Sequence, residues 1–137
     1  MTNLLFAYGL LMTGQSGSAD LELYDKLTSI GRDSVTGRLY DCGGYPGLVP
    51  GEYGDVAGEV FRVRDEAVWH TLDRFEDYDP AQTKNSLYIR KRAVTASGYD
   101  VWLYCFNGAT ASLSLVPQSD WRHIDSRKGK GSPGRHA

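Results

Sequence analysis

Cysteine and histidine are scarce in this sequence. The chain has 137 residues, of which two are cysteines, Cys42 and Cys105, and three are histidines. No cysteine pair has CxxC spacing and no Cys/His cluster has metal-ligand spacing, so the sequence predicts no metal site. Cys105 lies in an apolar run and is predicted to be a small buried hydrophobe. We therefore expect two free thiols in a reducing compartment rather than a structural disulfide.

Long apolar runs and an excess of positive charge are also missing. The amino-terminal residues lack the basic and apolar regions of a signal peptide, and no apolar run approaches the roughly 18–20 residues that cross a bilayer. The net charge is −2 and the isoelectric point about 5.9, which argues against a chain-wide nucleic-acid surface. We expect a cytoplasmic protein that binds neither membrane nor nucleic acid.

What is present fits one globular domain. Hydrophobic residues make up 41% and charged residues 23% of the chain, an ordinary balance for a domain with its own core. We place this domain at residues 1–125. Residues 126–137, "SRKGKGSPGRHA", are basic and rich in glycine and serine, which predicts a disordered tail. An interaction protein that docks a partner through this tail stays an alternative interpretation.

Hydrophobic periodicity predicts several short strands. They lie at 4–8, within 34–51, and at 55–63, 87–96 and 100–107, the last two joined by an "SGY" hairpin turn. Val35, Gly37 and Leu39 share one strand face, and a glycine inside a strand predicts a bend or a close approach. The order of strands and helices excludes a regular βαβ array and favours α+β. Strands interrupted by glycine predict a sheet bent into a small barrel.

Two helices are predicted between these strands. The first follows a loop at 12–20, begins at Ser18 or Asp20 and continues to about residue 30. Its apolar face is formed by Leu21, Tyr24 and Leu27. The second covers residues 64–78, with Asp65 as the candidate cap and an apolar face of Val68, Leu72 and Phe75.

The second helix ends in a cluster of acids: Asp73, Glu76, Asp77 and Asp79. Trp69, Leu72 and Glu76 stand at i, i+3 and i+7 and therefore share one helical face. Asp77 and Asp79 fall beyond the helix end, where we expect solvated loop charge. The spacing separates Glu76 from the other acids, because this carboxylate continues a stripe that begins with tryptophan and leucine.

Two effects would raise the pKa of a carboxyl at this place. Burial disfavours its charged form, and the helix carboxyl terminus carries a partial negative charge. A carboxyl tuned in this way suits general acid–base chemistry near neutral pH. The alternative is that Glu76 pairs with Arg74, Arg90 or Arg92, or points to water from a frayed end. For Asp73 we expect a hydrogen bond to a nearby backbone group or an arginine.

A glycine loop and several tyrosines are the other candidate features. "YGLL" (8–11) follows the first strand, and Gly9 lets the backbone approach a ligand closely. Successive amides in such a turn can bind an anion, although a plain strand end would look the same. Tyr8, Tyr88 and Tyr104 lie in predicted strands and would face a barrel interior, either as packing residues or as ligand contacts. The chain has no P-loop, GxGxxG pattern or serine–histidine elbow.

These segments occur in a known order. "YGLL" is followed by "GRLYDCGGYPGLVPG", "VAGEVFRV", a helix ending in "LDRFEDY", and "YIRKRAV". The set resembles the γ-glutamylcyclotransferase-like superfamily in its AIG2-like branch, with the patterns YGxL, Y/F-P-G/A-L, V-x-G-E, LDxxE and Y-x-R. The resemblance covers about residues 4–107. No single pattern is decisive, but the ordered set with compatible spacing is fairly specific.

The resemblance implies a small mixed β-barrel flanked by helices and an enzyme that needs no cofactor. It implies release of 5-oxoproline from a γ-glutamyl amine or peptide, with Glu76 of LDxxE as the general acid and base. The implied substrate-binding residues are Tyr8, Gly9, Leu10, Leu11, Tyr88 of Y-x-R and, as a looser match, Tyr104.

One departure from the family pattern lies next to the catalytic candidate. Many AIG2-like proteins have glycine after the glutamate, whereas this chain has Asp77. The change puts the loop beyond the helix, and with it the substrate, in doubt. The alternative function is a module that binds a small anionic metabolite in the same pocket without turning it over.

Overall fold

The computed structural model of the chain describes residues 2–9, 11–12 and 26–123. This part contains the strands and helix β1 (Leu4–Ala7), β2 (Leu27–Asp41), β3 (Pro46–Val63), α1 (Ala67–Phe75), β4 (Tyr88–Val94), β5 (Asp100–Phe106) and β6 (Ser114–Leu115). Short 3-10 helices lie at Thr83–Asn85, Pro117–Ser119 and Trp121–His123. No helix in the described ranges is long and apolar enough to span a membrane.

The strands form one mixed sheet in the order β4-β5-β1-β3-β2-β6. β5 runs parallel to β1, where Trp102 lies opposite Leu5. Beyond the end of β1, β5 pairs with β3 itself, where Cys105 lies opposite Leu48. Because β5 contacts both strands, the sheet curls into a half-barrel. The predicted fold class, an α+β domain built on a small mixed barrel-like sheet, is confirmed.

The hairpin of β2 and β3 supplies the largest part of the sheet. Its register places Thr36 opposite Asp55 and Gly37 opposite Pro50. Residues 51–54 of β3 therefore have no partner in β2 and form a bulge. A Cβ on Gly37 would lie 2.6 Å from the carbonyl oxygen of Val49. The close approach predicted by a glycine inside this strand is therefore present.

The first predicted helix is wrong at its carboxyl end. Residues 27–30 lie in β2, and Leu27 is opposite Val63 at the far end of the hairpin. Pairing with a strand distant in sequence decides the conformation here, and a short local spacing carries no information about that pairing. The rest of that helix, including Leu21 and Tyr24, and residues 13–20 of the predicted loop lie outside the described residues.

The second predicted helix is confirmed as α1, which is shorter than the predicted 64–78. The cap position is Glu66, one residue after the predicted Asp65. The Asp65 side chain nevertheless accepts the N–H of Ala67 at 2.9 Å, and its carbonyl accepts the N–H of Val68 at 3.0 Å. Asp65 thus satisfies two of the donors that a helix start leaves open.

The hairpin predicted at 87–96 and 100–107 is confirmed as β4 and β5. The core joins these strands to β1, β2, β3 and α1 in a single buried cluster. Cys105 is buried and Cys42 half-buried, and both are free thiols, as predicted. Burial raises the pKa of the Cys105 thiol to about 11, while burial and the charge of Asp41 raise the pKa of the Cys42 thiol to about 12.

Candidate active site

Helix α1 turns one face toward the core, and that face ends in a carboxyl group. Trp69, Leu72 and Glu76 follow the predicted spacing, and all three are buried. Glu76 is 0% exposed, so the interpretation in which it points to water from a frayed end is wrong. Its backbone N–H donates to the carbonyl of Leu72 at 2.9 Å. The last helical hydrogen bond therefore fixes the backbone from which the Glu76 side chain leaves.

The residue after Glu76 ends the helix. Asp77 lies in the left-handed region with a φ of 55°. Its N–H donates to the carbonyl of Arg74 at 3.2 Å, and the N–H of Tyr78 donates to the carbonyl of Asp73 at 2.8 Å. These are the two bonds of a Schellman motif, whose left-handed position is usually occupied by glycine. Asp77 thus adopts a conformation typical of glycine, and the turn after Glu76 is a regular helix end.

Tyr8 and Tyr88 bind the start of β3 through their hydroxyl groups. The Tyr8 hydroxyl accepts the N–H of Leu48 at 3.2 Å and donates to the carbonyl of Tyr104. The Tyr88 hydroxyl donates to the carbonyl of Pro46 at 2.5 Å. Each hydroxyl has one proton to donate, and both protons are used within the protein.

Glu76 lies close enough to the buried tyrosines to affect their ionisation. The pKa of Tyr8 is raised well above 10.0, first by burial and then by the charge of Glu76. The pKa of Tyr88 is raised by burial, by Tyr8 and by Glu76. The pKa of Tyr104 is raised by burial, by Asp73 and by Glu76. Three buried phenols with raised pKa values thus lie within electrostatic reach of the Glu76 carboxyl.

Asp73, three residues before Glu76, contacts both β4 and β5. Its Oδ1 accepts the hydroxyl proton of Tyr104 at 2.6 Å and lies 3.3 Å from Nε of Arg90. Arg90 and Tyr104 are directly opposite each other in the β4–β5 register. The expectation that Asp73 binds an arginine is confirmed.

Arg90 is enclosed by two indole rings. Its guanidinium carbon lies 4.8 Å from the ring centroid of Trp69 and 5.0 Å from that of Trp102. The side chain is 21% exposed, and cation–π attraction strengthens when the cation is partly desolvated. The two rings and Asp73 together fix the orientation of Arg90.

The predicted substrate loop follows β1. Tyr8, Gly9 and Leu11 are buried, and the N–H of Met12 donates to the carbonyl of Gly9 at 3.1 Å, which closes a turn. Leu10 lies outside the described residues. Since the charge of Glu76 acts on Tyr8, the loop begins near the carboxyl. Anion binding by its amides stays a prediction.

Sequence reasoning did not assign Trp102, Pro46 or Leu48 to the site. The contacts of Tyr88 with Pro46 and of Tyr8 with Leu48 join residues 42 and 40 positions apart, and no local periodicity encodes such contacts. The one available signal was the "YPGL" segment, which contributed to the family resemblance but not to the predicted site.

Two cavities border Arg90. One, of about 560 Å³, lies at the end of α1 and is lined by His70, Asp73, Arg74, Asp77, Tyr78, Asp79, Pro80 and Arg90. The other, of about 360 Å³, reaches Trp69 and Trp102. Glu76 lines neither of these two. Within the described ranges, no three His, Cys, Asp or Glu side chains form a group able to hold a metal ion.

The curled mixed sheet, the buried carboxyl at the end of α1 and the tyrosines near it define an α+β domain with a carboxyl group buried beside aromatic residues. The family model described as "Gamma-glutamyl cyclotransferase, AIG2-like" matches residues 5–123. The chain therefore belongs to the AIG2-like γ-glutamylcyclotransferase family.

Individual relatives agree with this assignment. The chain is 32% identical over 121 residues to the γ-glutamylcyclotransferase family protein YtfP of Escherichia coli K12, covering 88% of this chain and 97% of YtfP. It is 34% identical over 107 residues to the γ-L-glutamyl-butirosin B γ-glutamyl cyclotransferase of Niallia circulans, covering 75% of this chain and 66% of that protein.

Solved structures are similar in fold. The solution structure of Escherichia coli YtfP matches with a TM-score of 0.62 at 31% identity, covering 86% of this chain and 95% of that one. The crystal structure of an AIG2-like protein from Mus musculus matches with a TM-score of 0.67 at 21% identity, covering 86% of both chains. At that lower identity the mouse protein is evidence for the fold alone.

Proposed function

We propose that this chain releases 5-oxoproline from a γ-glutamyl amine or γ-glutamyl peptide, with Glu76 as general acid and base. The observation that carries the proposal is the complete burial of the Glu76 carboxyl among Tyr8, Tyr88 and Tyr104. Removal from water disfavours the charged form of a carboxyl, and a carboxyl of this kind can gain and lose a proton near neutral pH.

The proposed reaction begins with proton transfer from the substrate α-ammonium to the Glu76 carboxylate. The freed amine nitrogen then attacks the γ-carbonyl carbon of the same molecule, a step favoured by proximity. The bond between this carbon and the leaving nitrogen breaks, and Glu76 returns its proton to that nitrogen. The ring nitrogen loses its second proton through the same carboxyl, so the amine is released in its ammonium form. The products are 5-oxoproline and a free amine. Atoms and protons balance without water, metal or redox partner, which is why we propose a cofactor-independent enzyme.

The Tyr8–Leu11 loop would hold the substrate during this reaction. In the proposal, the amides of Gly9, Leu10 and Leu11 stabilise the negative charge that develops on the γ-carbonyl oxygen. Tyr88 and Tyr104 line the site with rings whose hydroxyl protons are already used within the protein, so they shape the pocket and exclude water.

The substrate class follows from the family and from one relative. The Niallia circulans enzyme is named for γ-L-glutamyl-butirosin B, which supports a γ-glutamyl compound as the substrate here. The cytoplasmic location expected from the sequence remains part of the proposal, as does the absence of nucleic-acid partners.

The test is a panel of γ-glutamyl amines and γ-glutamyl dipeptides incubated with the purified chain. Mass spectrometry measures 5-oxoproline, and calorimetry measures binding in parallel. The proposal expects stoichiometric release of 5-oxoproline and the free amine from at least one compound. Binding of a compound without product would support the alternative, a metabolite-binding module, and would contradict the enzyme proposal.

A further inference from the structure

Two elements must be aligned for the proposed reaction. Glu76 lies at the end of α1, whereas the Tyr8–Leu11 loop follows β1. Acid–base transfer requires hydrogen-bond distances between the reacting atoms, and a small misplacement can lower a rate by about 100-fold. Some contact must therefore fix the end of α1 relative to the sheet.

Asp73 makes that contact. It lies three residues before Glu76 on the same helix, and its Oδ1 receives the Tyr104 hydroxyl proton at 2.6 Å. The carbonyl of Tyr104 in turn accepts the hydroxyl proton of Tyr8, the first residue of the loop. A continuous chain of hydrogen bonds and backbone therefore joins the last turn of α1 to the start of the substrate loop.

Arg90 is a further partner of the Asp73 carboxylate, beside Tyr104. Its Nε lies 3.3 Å from Asp73 Oδ1, and its guanidinium is enclosed by Trp69 and Trp102. An arginine whose guanidinium packs against two indole rings has few alternative rotamers, so little conformational entropy is lost when it binds the carboxylate. Side chains of Asp73 and Arg90 are 12% and 21% exposed, and screening by solvent is correspondingly limited.

We propose that Asp73, bound by Tyr104 and Arg90, is a positioning residue that sets the place of the Glu76 carboxyl relative to the Tyr8–Leu11 loop. The inference rests on the proposed function and adds to it a residue that acts through Glu76 and not on the substrate. It gives Arg90, whose guanidinium packs against Trp69 and Trp102, the role of holding Asp73. Arg90 takes no part in the proposed proton transfers.

The same arrangement has an electrostatic consequence that distinguishes it from packing. Glu76 acts on the ionisation of Tyr88 from β4, Tyr104 from β5 and Tyr8 from the loop after β1. Asp73 lies one helical turn before Glu76, and Arg90 from β4 is paired with Asp73. Asp73→Asn removes a negative charge and Arg90→Gln removes a positive charge from this set. The two changes must therefore move the titration of Glu76 in opposite directions.

The kinetic arm compares Asp73→Asn, Tyr104→Phe and wild type on the best substrate of the panel. Both variants are expected to lower kcat about tenfold or more, with KM changed by less than about twofold, because alignment and not binding is lost. The matched control is Asp120→Asn, which breaks another Asp–Arg pair whose side chains are 14% and 19% exposed. This control is expected to leave kcat within about twofold of wild type.

The spectroscopic arm follows the Glu76 side-chain carboxyl by carbon NMR, assigned by its loss in Glu76→Gln. Its titration midpoint is expected to fall in Asp73→Asn, rise in Arg90→Gln, and stay within about 0.3 pH unit in Tyr104→Phe, which changes no charge. This arm requires the folded chain but no substrate.

The outcomes separate this inference from the proposed function. If wild type releases 5-oxoproline, Glu76→Gln is inactive, and Asp73→Asn keeps wild-type kcat, the positioning inference is overturned while the proposed function stands. A loss of kcat in Asp120→Asn equal to that in Asp73→Asn overturns it as well. If wild type turns over no compound, the proposed function fails, and the NMR experiment alone decides on the positioning inference. That inference is overturned if the Glu76 titration midpoint stays unchanged in Asp73→Asn and Arg90→Gln, or if it moves in the same direction in both.

Discussion

Glu76 and Asp77 are adjacent acids in opposite environments. Glu76 is buried on the inner face of α1, whereas Asp77 is exposed and has a positive φ of 55°. The helix ends between them, so the chain reverses and the second carboxylate turns outward. Asp77 stands where the family resemblance places a glycine, and it adopts the left-handed conformation that glycine favours.

The strained conformation of Asp77 gives a prediction about stability. Asp77→Gly is expected to raise the free energy of unfolding by about 0.5–1 kcal/mol, because glycine occupies the left-handed region without a Cβ clash. Chemical denaturation measures this change. Asp77→Ala is the matched control, which removes the same carboxylate but keeps the Cβ and is expected to give no gain. Equal stability of the two variants would show that φ at this position is not the cause.

Single residues also show which parts of the site a sequence reveals. Glu76 could be identified because helical spacing places it on the stripe of Trp69 and Leu72, and that stripe is local. For Asp73, the sequence predicted only that its side chain hydrogen-bonds to a backbone group or an arginine. Its contacts with Arg90 and Tyr104 depend on the register of β4 and β5, and neither helix periodicity nor strand alternation specifies how a helix lies over that register.

At the scale of elements, α1 matters because its last turn carries Glu76. The helix is nine residues long, too short to be stable alone in water, so its ends and its packed face decide whether it forms. The Schellman motif closes the carboxyl end, and Asp65 supplies the hydrogen bond at the amino end. The Asp65–Lys26 ion pair, at 3.7 Å with both side chains about half exposed, adds little.

If the hydrogen bond of Asp65 and not its ion pair stabilises the start of α1, two substitutions of Asp65 should differ in their effect. Asp65→Ala is expected to lower the free energy of unfolding by about 1 kcal/mol, since it leaves the N–H of Ala67 without its acceptor. Asp65→Asn retains a side-chain oxygen and is expected to stay within about 0.3 kcal/mol of wild type. Thermal and urea denaturation of both variants provide the measurement. A similar loss in the two would indicate that charge, and not the hydrogen bond, stabilises this end.

The strands show where local reasoning fails at this scale. The β4–β5 hairpin was predictable because its two strands are adjacent in sequence and joined by a short turn. Leu27 was placed in a helix because its partner, Val63, is 36 positions away in the β2–β3 ladder. The helical spacing of three apolar residues is local and contains no information about a partner so far away in the sequence.

For the whole molecule, the consequence of this fold is a set of phenols enclosed with a carboxyl. Tyr8, Tyr88 and Tyr104 are at most 1% exposed, and each has a pKa raised well above 10.0, mainly by burial. Unfolded tyrosines ionise near pH 10, whereas these three keep their protons in the native state. Above about pH 10 the native chain therefore binds more protons than the unfolded chain.

The sign of the resulting pH dependence is fixed. Stability from these groups is fully present below about pH 10 and is lost as the pH rises toward the raised native values. We expect the free energy of unfolding to be lower at about pH 11 than at about pH 9, and part of the tyrosinate absorbance to appear only on unfolding. Denaturation at both pH values and an absorbance titration measure this. Ionisation of every tyrosine near pH 10 in the folded chain would contradict the enclosure of these residues.

Glu76 is proposed to perform the proton transfers that release 5-oxoproline. The direct measurement is the kcat of Glu76→Gln and wild type on the best γ-glutamyl compound, with Asp79→Asn as a control for the loss of an exposed carboxylate. Glu76→Gln is expected to lose about 10²–10⁴-fold in kcat, the usual contribution of general acid–base catalysis, whereas Asp79→Asn is expected to keep wild-type turnover. Full turnover by a folded Glu76→Gln variant would contradict this role of Glu76.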